Sequence, residues 1–165
     1  MRKLHNHHLK KMVGTIFLLT LTGILFLYVK YQSQQVELRE KTREQLRKEI
    51  TDLIIEYQNG ETQTIDLSKL SSISWDRLYI FGPYIPLENI DKLVGSPWMP
   101  DKRYAPPRPF SYLIFTLNRK VVQYVEYPID DFVNFSGKDH KNEGYERSQS
   151  LFVLNKYGTV LWLYQ

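Results

Sequence analysis

Few residues in this sequence are of a type and spacing to do chemistry. His5, His7 and His8 stand close enough to share a metal ion, but no carboxylate or thiolate completes a ligand set. They read as solvated side chains, and no metal is expected. The fourth histidine, His140, lies between charged neighbours in a polar stretch, and no serine sits in a Gly-x-Ser-x-Gly elbow. Nucleophilic catalysis therefore lacks an obvious base. The chain has no cysteine, which removes thiolate nucleophiles, Cys-ligated zinc and disulfides. Carboxylates are what remain. Asp76 and Glu126 fall in strand-like stretches and are the candidate acids for a hydrolase, whereas Asp130 and Asp131 are adjacent and would face opposite sides of a strand. No phosphate-cradling glycine loop or dinucleotide fingerprint is present, so no cofactor is expected.

Binding is the stronger reading. Residues 96–109, SPWMPDKRYAPPRP, hold five of the chain's eight prolines together with Trp98, Arg103, Tyr104 and Arg108. A proline-rich loop is stiff and loses little entropy on docking, and aromatic and guanidinium groups are the usual anchors of interfaces. Trp98, Arg103, Tyr104 and Arg108, with Trp75 and Tyr84, are the candidate binding residues. The competing account is that the aromatics fill the core and Trp98 folds inward as a lid on the sheet.

The elements that would carry these residues begin with residues 12–29, MVGTIFLLTLTGILFLYV, a run without a charge. As a helix it would be about 27 Å long, close to the hydrocarbon thickness of a bilayer. Its threonines can bond back to the preceding turn. Arg2, Lys3, Lys10, Lys11 and Lys30 flank the run and carry +5; the other 17 Lys and Arg against 18 Asp and Glu leave −1 for the rest. The basicity is thus a topology signal and not a nucleic-acid surface. No small-x-small cleavage site follows the run, which favours an uncleaved anchor over a signal peptide. Residues 1–11 are expected in the cytoplasm and the remainder outside the cell membrane.

Residues 30–58 read as a helical stalk, with Leu46, Ile50, Leu53 and Tyr57 on one stripe and Asn59-Gly60 as its stop; a hairpin turning on Asn59-Gly60 is the alternative. In residues 74–81 alternation puts Trp75, Arg77, Tyr79 and Phe81 on one face and Leu78 and Ile80 on the other. Pro86 opens a short helix with Ile90, Leu93 and Val94 on its apolar face, and Gly95 closes it. Residues 110–117 and 121–127 form a hairpin turned at Asn118-Arg119, the first strand apolar on both faces and central. Residues 129–135 extend it or form an edge, 136–147 are a polar loop, and 150–154 with 159–164 make a last hairpin. The expected fold is α+β: a transmembrane helix (12–29), a stalk (30–58), then a domain (59–165) with an antiparallel sheet of about five strands and one or two helices packed on it.

At residues 75–95, WDRLYIFGPYIPLENIDKLVG, the chain resembles a family of small membrane-anchored proteins and lipoproteins of Gram-positive bacteria with a W-D-x-[LV]-Y-[IV]-F-x-P-Y motif. The resemblance implies strand, turn and helix followed by antiparallel sheet, and brings no activity. Many members of that family carry a lipid-modified cysteine, which this chain lacks. Gly82, then Glu88-Asn89-Ile90 and Leu93-Val94-Gly95-Ser96-Pro97, is more distantly similar to small outer-membrane assembly lipoproteins and β-lactamase-inhibitor-like domains, a resemblance of fold only. The expected function is a non-enzymatic protein-binding or scaffold domain. Its partners are the lipid bilayer and a protein of the cell envelope, with no nucleic acid; the alternative is a carboxylate-dependent envelope hydrolase.

Overall fold

The structure is a computed structural model that describes residues 2–83, 85–95, 98, 110–128, 135, 143–155 and 159–162, with backbone alone for 2–17, 87, 161 and 162. Two compact units divide the chain, Met1–Glu40 and Lys41–Gln165.

Helix α1 (Arg2–Gln58) supplies the first unit and begins the second. In the first unit its apolar side chains from Leu18 to Val29 are 53–69% exposed. They cover every side of the helix, since consecutive residues such as Leu25, Phe26, Leu27 and Tyr28 step round it by about 100° each. The Thr22 hydroxyl donates back to the carbonyls of Leu18 (3.1 Å) and Leu19 (2.9 Å), as expected of a threonine in an apolar helix. Among the described residues no helix is long and apolar enough to cross a membrane; the side chains of residues 12–17 lie outside that set.

α1 ends where Asn59-Gly60 places a stop. Gly60 takes a left-handed φ of 76°, and the Glu61 amide reaches back to the Glu56 carbonyl at 2.9 Å. This is the pattern of a Schellman-type cap, and it rules out the hairpin. The last turns of α1 are more than a stalk. Leu46, Ile50 and Ile54 are buried in the larger core cluster, with Leu53 and Tyr57 only partly buried beside it. The stripe is therefore centred on Ile54 rather than Leu53, and the compact unit starts at Lys41, ahead of the boundary expected at residue 59.

The described strands form two antiparallel sheets instead of one sheet of about five. β1 (Ile65–Asp66), β6 (Leu151–Leu154) and β7 (Val160–Trp162) make a three-stranded sheet in the order β1-β6-β7. β2 (Arg77–Phe81), β3 (Phe110–Leu117), β4 (Lys120–Pro128) and β5 (Tyr145–Glu146) make the second, in the order β4-β3-β2-β5. The last hairpin does not join the sheet of β2 to β5. β6 pairs instead with the short strand after α1, Ile65 opposite Phe152. β5 lies inside the stretch expected as a polar loop, and it forms because Tyr145 is fully buried against Phe152, ring centroids 5.2 Å apart.

β3 is central and apolar on both faces, as its sequence predicts. Leu113 and Phe115 join the larger core with Leu78, Ile80 and Val125, beneath α1 and the three-stranded sheet. Ile114 joins a second cluster with Phe81, Tyr124 and Trp98, beneath α2 (Leu87–Val94). In α2, Ile90 and Val94 are buried but Leu93 is 40% exposed, so the helix packs through an i, i+4 pair and Leu93 turns to solvent. Gly95 caps it with φ 78°. The β3–β4 turn places Asn118 (φ 52°) and Arg119 (φ 62°) in the left-handed region, as a two-residue type I′ turn requires.

Candidate functional site: an open groove beside β2

Among the described residues, the sequence-derived candidates do not come together as one surface. Trp75 and Trp98 are each 3% exposed. Trp75 packs edge-on to Phe115 at 5.3 Å, and its indole N–H is buried with no hydrogen-bond partner among the described residues. It belongs to the cluster of Leu78 and Ile80, not to the face of Tyr79 and Phe81. Alternation fails there because the chain bends at Asp76 and the β2 ladder begins only at Arg77. Trp98 lies edge-on to Tyr112 (4.9 Å) and Tyr124 (5.2 Å), and its amide donates to Asp91 Oδ1 at 3.3 Å. Both indoles thus serve packing. Tyr84, Arg103, Tyr104 and Arg108 lie outside the described residues, as do His140, Asp130, Asp131 and the side chains of His5, His7 and His8. Phe135, the one described residue of 129–135, is buried 5.1 Å from the Tyr127 ring.

The two candidate acids stand apart. Asp76 lies beside the β3–β4 turn, where its Oδ2 accepts the Asn118 amide at 2.7 Å. Glu126 is opposite Tyr112 in the ladder, four residues back along β3 from Thr116 and so about 13 Å away. Burial pushes the Tyr112 phenol above its ordinary 10, and the Glu126 carboxylate pushes it further the same way. Among the described residues no group of three or more His, Cys, Asp or Glu could hold a metal ion.

A different site emerges around Asp76. An open groove of about 1350 Å³ runs between the end of α2, the Arg77 end of β2, the β3–β4 turn and the segment from Glu143 to Ser148. One wall is held by Arg77, whose guanidinium donates to the Glu143 carbonyl (2.7 Å) and to Glu146 Oε1 (3.2 Å). Another is held by Arg147, which donates to the carbonyls of Ser68 (3.0 and 2.9 Å) and Leu70 (3.1 Å) and sits 5.4 Å over the Trp75 ring. Gly144 makes this wall possible. Its φ is 73°, and a Cβ there would lie 2.8 Å from the Leu78 carbonyl oxygen and 3.0 Å from the Tyr79 ring. Tyr79 and Leu93 give the groove apolar surface beside these charges.

Sequence reasoning singled out Asp76 and Trp75, which both line the groove, and missed Arg77, Arg119, Glu143, Glu146 and Arg147. One signal was legible: Asn118-Arg119 is a hairpin turn carrying arginine where glycine is the easier residue. The remaining residues are isolated charges whose convergence depends on β5 pairing with β2, Arg77 opposite Glu146. Four of the groove's charged residues, Asp76, Arg77, Glu146 and Arg147, are tied to each other or to backbone. No family model matches this chain, and no curated protein or solved structure is found similar to it.

Proposed function

We propose that residues 12–29 anchor the chain as a single pass through the cell membrane, amino terminus in the cytoplasm, and that Lys41–Gln165 is a non-enzymatic protein-binding domain on the outer face. The observation that carries the anchor is the exposure of every apolar side chain from Leu18 to Val29, on all sides of one helix. Water is a poor solvent for such a surface, whereas lipid or an apolar partner covers it at no loss. The basic flank at Arg2, Lys3, Lys10 and Lys11 sets the orientation. The resemblance of residues 75–95 to membrane-anchored proteins implies the same setting.

A binding role is favoured over hydrolysis because Asp76 is engaged with the Asn118 amide and faces no second acid in Glu126. The full chain expressed in bacterial cells should pellet with membranes and stay there through an alkaline carbonate wash. Protease added to spheroplasts should digest the domain and spare a tag on the amino terminus. Release by carbonate, or a protected domain, would overturn the assignment.

A further inference from the structure

The groove beside β2 is larger than the roughly 300–1,000 Å³ of small-molecule sites, and it is open rather than enclosing, so a segment of a macromolecule fits it better than a metabolite. Most of its charged groups are occupied: Asp76 by the turn amide, Arg77 by Glu146, Arg147 by two carbonyls. Two are not. Neither the Arg119 guanidinium nor the Glu143 carboxylate makes a hydrogen bond or ion pair among the described residues, and both residues are exposed. Arg119 is also held at φ 62°, a conformation glycine adopts freely and arginine does not. A turn that tolerates this places a guanidinium at the groove, which the partly exposed Leu93 at the end of α2 also lines.

We propose that this groove docks an extended polypeptide segment whose acidic side chain pairs with Arg119 and whose aliphatic side chain covers Leu93. The proposal rests on the binding-domain reading above and names its surface and the chemistry of its partner. Charge argues for polypeptide over a phosphate polymer. Asp76, Glu143 and Glu146 line the groove alongside its arginines and would repel a continuous run of phosphates, whereas a peptide brings both signs and apolar groups. Arginine is also among the residues that dominate interface energetics.

The test uses the full chain in detergent micelles, panned against a phage-displayed random-peptide library. Enriched peptides are then synthesised and titrated against wild type, Arg119→Gly and Leu93→Ser. The expected peptides share an acidic and an aliphatic residue, and bind Arg119→Gly roughly tenfold more weakly, as for loss of one charge-assisted pair. Arg119→Gly should meanwhile melt at a higher temperature than wild type, because glycine relieves the turn, so weaker binding cannot be laid to unfolding. No enrichment, enrichment of peptides without acidic residues, or equal affinity for all three proteins would overturn the proposal. Carbonate-resistant membrane attachment of Arg119→Gly is measured in parallel, so failure of the groove and failure of the anchor are read separately.

Discussion

If the end of α1 is part of the domain core, truncating Ile50 should be among the most damaging changes in the protein. Ile50 is fully buried in the cluster that joins α1 to both sheets, beside Leu46, Ile54, Leu78 and Phe115. Ile50→Ala removes three carbons from that site, a transfer loss of about 2.4 kcal/mol at about 0.8 kcal/mol per buried methylene. A residual cavity of about 60 Å³ adds about 1.5 kcal/mol, for a total of about 4 kcal/mol, within the range known for such truncations. Ile55, one residue round the helix from Ile54 and 47% exposed, is the internal control: Ile55→Ala should change stability by less than about 1 kcal/mol. Urea unfolding of the full chain in micelles, followed by tryptophan fluorescence, reads both, since Trp75 lies in the same cluster as Ile50. With a slope of about 2 kcal/mol per M, the midpoint should fall by about 2 M for Ile50→Ala and by under about 0.5 M for Ile55→Ala. Equal shifts, or none at Ile50, would mean that α1 is a stalk after all and that the core closes without it.

Gly144→Ala should destabilise by more than about 2 kcal/mol, because left-handed backbone and a Cβ 2.8 Å from the Leu78 carbonyl act together; Gly60→Ala, with the same sign of φ and open space around it, should lose only about 1 kcal/mol, and urea midpoints compare the two. Glu49 makes stability depend on pH. Burial pushes its carboxyl up, but the amides of Ser71 and Ser72 and the Ser71 hydroxyl outweigh that and hold it below its ordinary 4.5. A carboxyl lowered in the folded state contributes stability that is fully present above about 4.5 and is lost as pH falls through the folded value. Thermal melts from neutral pH down to about pH 3 should therefore show a smaller acid loss in Glu49→Gln than in wild type, and parallel curves would refute the role.

Much of the local structure is legible in the sequence because its causes lie within a few residues. Pro86 and Gly95 bound α2 by fixing φ at one end and freeing it at the other, and Asn59-Gly60 stops α1 for the same reason. The two-residue gap at Asn118-Arg119 and the apolar run of residues 112–115 in β3 place the central hairpin. The charge-free stretch at 12–29 with its basic flank is likewise a property of composition alone. Other features are decided only when distant segments meet. Whether the last hairpin extends one sheet or opens another depends on Ile65 finding Phe152 across the intervening chain, and no local propensity carries that information. Trp75 changes face because Asp76 bends the backbone while bonded to Thr116 and Arg147. Leu93 yields the core to Ile90 and Val94 because α2 lies on a sheet whose second cluster is already shaped by Trp98 and Tyr124. The groove depends most on tertiary structure. Its walls are single charged residues from β2, the β3–β4 turn and β5, unremarkable in sequence and brought together by strand pairing that only the whole domain's burial makes favourable.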